Sequence, residues 1–192
     1  MFILGHIGIS IGIIYLLVSY IQHLNKKNNI SNSLAENIDF RIVIVAAMFP
    51  DIVDKTVGMI LFKEEISNGR LFTHSLVIVG VISIWLFFMA KLKYGHRFKM
   101  LFYISPIWFH LLLDRMWEEP HTLFWPLFGI NFPRIDVEFS DYFTVLLSSP
   151  YALIGEILGF GIIVTLFIRY RLFIKTHLFT FLKDGKLKKP TT

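Results

Sequence analysis

The sequence predicts an all-α fold: a polytopic membrane bundle of about five apolar helices, one of them broken at Pro50. Composition and spacing carry that prediction. The 192 residues are 55% hydrophobic, include 20 Phe and have a mean hydropathy of +0.61. Only 17% are charged, whereas a soluble domain carries about a quarter. The apolar residues also gather into blocks of roughly the 17 to 25 residues that a bilayer core demands. The same composition excludes disorder, collagen repeats and a disulfide scaffold.

The first block runs from Phe2 to about Ile21. No basic region precedes it, no small-residue cleavage site follows it, and Lys26 and Lys27 come next, so a spanning helix is expected rather than a cleaved signal. The second block, Ile42 to Phe62, contains Phe49-Pro50-Asp51. Proline removes a helical donor and disfavours helix in the residue before it, which predicts a break there. The third block spans His74 to Leu92 with Thr73 as its expected N-cap, the fourth Met100 to Trp117, and the fifth Tyr151 to Ile168. A long loop over 118–149, with Pro120, Pro126 and Pro133 inside it and Pro150 at its end, separates the last two. Residues 1–175 read as one membrane-embedded helical catalytic domain and 176–192 as a basic cytoplasmic tail.

Orientation follows from the basic clusters. Lys26, Lys27 and Arg41 lie between the first two blocks, Lys91, Lys93, Arg97 and Lys99 between the third and fourth, and Arg169, Arg171, Lys175 and Lys183 to Lys189 after the fifth. Alternating crossings put all of them on one side. The other side receives Glu64, Glu65, Glu118, Glu119, Asp136, Glu138 and Asp141. The expectation is a multi-pass cell-membrane protein with its N-terminus out and its C-terminus cytoplasmic. The formal net charge of +5 is explained by these clusters, so no nucleic-acid partner is expected. There is no cysteine, which excludes thiolate nucleophiles and leaves His, Asp and Glu as the metal ligands available.

Ionisable groups inside the apolar blocks cost several kcal/mol unless paired or metal-bound. His6, Asp51, Asp54, His74, His110, Asp114 and Glu156 all lie within these blocks or at their mouths, and the alternating topology brings His6, His74, Asp114 and Glu156 to the outer side. His110 and Asp114 are spaced i,i+4, so both face one side of a helix. Asp51 and Asp54 follow Pro50 at i,i+3, where carboxylates suit the start of a helix. Imidazole with carboxylate suits zinc, manganese or iron. The alternative is a proton or cation relay in a membrane transporter. Gly8-x-x-x-Gly12 and Gly155-x-x-x-Gly159 permit close helix approach beside His6 and Glu156. His23, His96 and His177 read as solvated. Trp108, Trp117, Trp125 and Tyr151 read as interface anchors or packing, and Trp85 as lipid-facing or core.

The strings Pro50-Asp51-Ile52-Val53-Asp54-Lys55, Gly69-Arg70-Leu71-Phe72-Thr73-His74-Ser75, His110-Leu111-Leu112-Leu113-Asp114-Arg115 and Phe124-Trp125-Pro126-Leu127 resemble the YdjM-like family of membrane-bound metal-dependent hydrolases. The likeness extends from His6 to Glu156. It implies an inner-membrane hydrolase whose order of His, Asp, His, His-x-x-x-Asp and a late Glu is similar to that of zinc-dependent phospholipases C.

The residues themselves carry the chemistry further. His6, Asp51, Asp54, His74, His110, Asp114 and Glu156 exceed the four ligands of one structural zinc, so two or three divalent ions are expected, zinc first, with manganese or iron as alternatives. Such clusters generate hydroxide near neutral pH and clamp the oxygens of a phosphoryl transfer, for which Asp51, Asp54, His110 and Asp114 are the expected catalytic groups. His121 is a candidate further ligand or general acid. Arg70 and Arg115 are candidates for holding phosphate through forked hydrogen bonds. A site opening among apolar helices suits the headgroup of a membrane lipid or lipid-linked phosphate ester.

Overall fold

The computed structural model describes residues 2–28, 38–94, 97–134, 144 and 147–187, and among these the chain is helical with no strand. Of the residues named above, His96, Asp136, Glu138, Asp141, Lys188 and Lys189 lie outside the described residues.

Helix α1 covers Ile3–Lys27, with Lys26 and Lys27 in its last turn, where cations complement the helix dipole. Helix α2 covers Phe40–Lys55, and its start is capped by Asp39, whose Oδ1 accepts the Arg41 amide at 2.9 Å. Contrary to the expected break, α2 continues past Pro50 to Lys55. One missing donor is tolerated because Pro50 is fully buried, so packing holds the turn. The irregularity falls later, in a π-helical turn over Thr56–Leu61. There Gly58 passes so close to the Asn68 carbonyl that a Cβ would have no room.

A 3-10 turn, Phe72–His74, precedes helix α3, Leu76–Tyr94. The cap of α3 is Ser75, not Thr73: the Val77 amide donates to Ser75 Oγ at 3.2 Å. Thr73 instead donates its hydroxyl to the Pro50 carbonyl at 3.0 Å, tying this turn to α2. Helix α4, Arg97–Leu113, contains Pro106. It gives way to Arg115 in the left-handed region (φ 54°) and a 3-10 turn, Met116–Glu118. The short α5, Pro120–Leu123, and the long α6, Pro150–Arg169, each begin with proline at the first turn. Helix α7, Lys175–Asp184, ends at Gly185 with φ 69°. It occupies the region expected to be a tail and is docked: Arg41 Nη1 donates to the carbonyls of Leu182 (2.7 Å) and Lys183 (2.9 Å), and the Phe40 amide to that of Gly185 (2.7 Å).

The first turn of α1 meets the first turns of α6, because Glu156 accepts hydrogen bonds from the amides of Phe2, Leu4 and Gly5. Helices α1 and α6 then cross at Gly8 and Gly159, where a Cβ on either would strike the other backbone, the small-residue approach that the spacing predicted. Helices α2 and α4 end where α1, α3 and α6 begin, so the ionisable residues of five segments collect at one end of the bundle.

Burial is inverted relative to a water-soluble bundle. His6, His74, His110 and Asp54 have no exposed surface, while Ile60 (72%), Leu16 (67%), Ile157 (61%) and Trp85 (60%) are mostly exposed. An outer face this apolar requires an apolar solvent. Helices α1 and α6 are long and apolar enough to cross a membrane, and Leu76–Ala90 and Phe98–Leu113 form shorter apolar helical stretches.

Candidate metal centre

Asp51, His74, His110 and Asp114 each turn one ligand atom inward, and these atoms lie within 4.8 Å of one another. Each is brought there by local structure. Asp51 continues the buried stripe of α2 formed by Val43, Ala47 and Pro50 and followed by Asp54. His110 sits in the last turn of α4, and the Asp114 amide still donates to the His110 carbonyl at 2.9 Å, so one further helical turn keeps both side chains on one face. His74 is carried by the 3-10 turn before α3.

The orientation of the two ligand imidazoles is fixed from behind. His74 Nδ1 lies 2.7 Å from Asp54 Oδ2, and His110 Nδ1 lies 2.6 Å from the Ala47 carbonyl. A neutral imidazole has one N–H, and these acceptors assign it to Nδ1 in both rings. Each Nε2 therefore carries a lone pair toward the centre, and the two nitrogens are 3.3 Å apart. Asp51 Oδ1 stands 3.9 Å from His74 Nε2 and 3.8 Å from His110 Nε2, and Asp114 Oδ2 stands 3.7 Å from His74 Nε2. Lone pairs aimed at one point repel until a positive charge stands among them. Bonds of roughly 2.0–2.1 Å in a tetrahedron separate neighbouring donors by about 3.3 Å, which the two imidazole nitrogens match while the carboxylate oxygens, at 3.7–3.9 Å, stand wider. Two imidazoles and two carboxylates thus suit a divalent ion such as zinc, manganese or iron.

The other residues singled out from sequence take different places. Asp54 holds the turn rather than joining the inner group: its carboxylate accepts the amides of Leu71 (2.7 Å), Thr73 (3.1 Å) and His74 (3.2 Å) as well as the His74 ring. Glu156 is occupied by the first amides of α1 at 2.9 to 3.0 Å and also stands outside the group. His6 lies against it: Nε2 is 2.9 Å from Asp114 Oδ1, and the ring stacks on His110 at 3.9 Å. Four of the seven expected ligands thus form the inner group, Asp54 and Glu156 bind backbone amides, and His6 pairs with Asp114 beside it. Arg70 is at the mouth, with Nε 3.4 Å from Asp114 Oδ2 and Nη1 3.0 Å from Glu119 Oε1. Arg115 turns away, paired with Glu118 and stacked over the Tyr151 ring. His121 is exposed on α5 with its ring against Phe128, outside the inner group.

Sequence reasoning missed Lys55 and Asn68. Lys55 Nζ donates to Asp51 Oδ2 at 2.8 Å, leaving Oδ1 to face the centre. Their i,i+4 spacing was the available signal. Asn68 organises the segment before His74, accepting the Arg70 amide at 2.8 Å and donating to the Pro133 carbonyl at 2.7 Å, a contact with no local signature.

A family model, that of the YdjM inner membrane protein, matches residues 1–179. The chain belongs to the YdjM inner membrane protein family. No curated protein and no solved structure matches it. Membership in the YdjM family accounts for the apolar outer surface as a lipid-facing one, and the matched span contains every residue of the centre.

Proposed function

We propose that this YdjM family member is a multi-pass membrane hydrolase that cleaves a phosphate ester of a lipid or lipid-linked substrate, using a divalent ion held by Asp51, His74, His110 and Asp114. The observation that carries the reading is the pair of imidazole nitrogens, 3.3 Å apart, with both N–H groups committed elsewhere. When bound, a divalent ion supplies Lewis acidity and a water ionised near neutral pH. The protein's part is positioning. Asp54 and the Ala47 carbonyl lock the imidazoles, Lys55 offsets the charge of Asp51, and His6 restrains Asp114 from the side away from Arg70.

Arg70 is the group placed to meet substrate. It stands at the mouth between Asp114 and Glu119 and is one-third exposed, so its remaining N–H groups suit the oxygens of a phosphate ester. The loops at this end expose Trp117, Leu127, Phe128 and Ile130. Those apolar side chains favour a substrate whose headgroup reaches the centre while its chain stays in the bilayer. The alternation of helix directions supports five crossings with the centre facing out and the basic end in the cytoplasm, in keeping with the distribution of Lys and Arg. A reporter at residue 130 is then external and one following α7 cytoplasmic.

The test is metal content together with substrate choice. Reconstituted protein is expected to hold at least one divalent ion per chain and to cleave a long-chain phospholipid or polyprenyl phosphate faster than a short soluble analogue, because the chain positions the headgroup. Less than one ion per chain, with pH-dependent cation flux in vesicles, would replace the hydrolase by a transporter.

A further inference from the structure

A second feature lies at the opposite end of the bundle and is independent of the metal centre. Between the last turns of α1 and α6 runs an open groove of about 470 Å³, within the roughly 300–1,000 Å³ of small-molecule sites. Its chemistry is graded along its length. Leu16, two-thirds exposed, forms the apolar end, Ser19 follows, Lys26 stands at the far end, and Arg169 reaches in from the last turn of α6. From Tyr15 to Lys26 the groove spans about 16 Å of helix. Arg169 is held over the Tyr15 ring, 5.9 Å from its centroid, and the Tyr15 and Tyr170 hydroxyls are 3.3 Å apart on the same wall. Among the described residues, no carboxylate lines it.

We propose that this groove binds the headgroup of an anionic phospholipid. Three features favour a lipid over a free anion. The site sits at the ends of the two helices long and apolar enough to cross the membrane. Its apolar end opens onto the face that Leu16 and Leu17 expose. Its two cations come from the last turns of their helices, on the side that the proposed orientation makes cytoplasmic, where Lys and Arg meet a negative leaflet. The phosphate would lie between Lys26 and Arg169 with the acyl chains along Leu16.

The experiment uses full-length protein in bilayer discs of phosphatidylcholine containing phosphatidylglycerol, with retained lipids counted by native mass spectrometry. Wild type is expected to retain phosphatidylglycerol preferentially. Lys26→Gln and Arg169→Gln should each weaken that preference about fivefold, the effect of about 1 kcal/mol per surface cation. Lys27→Gln, on the same helix but not in the lining, is the control and should change nothing. Equal loss in Lys27→Gln would mean a diffuse basic surface, and unchanged retention in both lining variants would mean no site. Displacement by millimolar inorganic phosphate would show an anion site indifferent to lipid. Each of these three results overturns the proposal. If Arg169→Gln does not fold, Lys26→Gln alone decides.

Discussion

The two ends of the bundle use similar residues for opposite purposes. At one end His6, Asp54, His74 and His110 are wholly buried, and a single ring nitrogen or carboxylate oxygen has its direction fixed by a partner behind it. At the other, Asp39 and Arg41 pair at 2.6 Å while partly exposed, and Arg41 spends its remaining donors on the carbonyls ending α7. A buried polar atom that has a partner is held in one geometry, because losing that partner is costly. Exposed pairs contribute little because water competes for them. The first arrangement builds a site, and the second fastens a helix.

Removing a ligand breaks this comparison most sharply. His110→Ala and Asp114→Asn should each lower metal affinity by more than about a hundredfold and abolish turnover. Arg41→Gln at the other end should leave metal content unchanged in the same elemental analysis. Equal metal loss from Arg41→Gln would mean that the two ends are not separable.

Asp54→Asn examines the supporting layer. Its effect on metal affinity is expected to be about 10- to 100-fold, because the His74 ring loses its orienting carboxylate while Nε2 remains. A titration that matches wild type would show that the turn, not Asp54, sets the ring. A thermal midpoint recorded alongside distinguishes a displaced ring from an unfolded loop.

The two arginines differ next. Arg70→Ala should lower kcat/KM on a phosphate ester by about tenfold, the value of one charge-assisted hydrogen bond, and should affect a carboxylic ester less. Arg115→Ala, which removes a contact with Glu118 and Tyr151, should change both substrates little. Equal losses would return Arg115 to the substrate site.

The smallest effect concerns pH. The Arg41 guanidinium beside Asp39 holds its carboxyl below the ordinary value of 3.8. A depressed pKa contributes stability that is present above 3.8 and is lost as pH falls through the lower folded value. Acid unfolding of wild type followed in detergent should therefore show a component missing in Asp39→Asn, and high salt should shrink it. Identical acid limbs would mean that the pair contributes nothing.

Much of this was legible in the residues. The helices appear close to the apolar blocks, with α1 extending to Lys27 and α6 covering Pro150–Arg169, because apolar length and proline at a first turn are local signals. The i,i+4 pair His110 and Asp114 also meets in space, since helical spacing is fixed by the backbone alone. Pro50 misled, because its cost depends on what packs over it. Thr73 misled as well, because a hydroxyl can cap its own helix or reach another, and only the fold brings the Pro50 carbonyl within 3.0 Å.

By itself the sequence determined the helical class, the apolar solvent and the short roster of polar groups that had to find one another inside it, since composition and periodicity are properties of the chain. Tertiary structure decided the division of labour within that roster. Asp51 and Asp54 lie three residues apart on one helix, yet Asp51 faces the centre while Asp54 faces the amides of Leu71, Thr73 and His74. Glu156 likewise meets the first turn of α1 instead of the centre. A carboxylate goes to the nearest unsatisfied donors, and which backbone amides those are depends on how segments distant in sequence pack together.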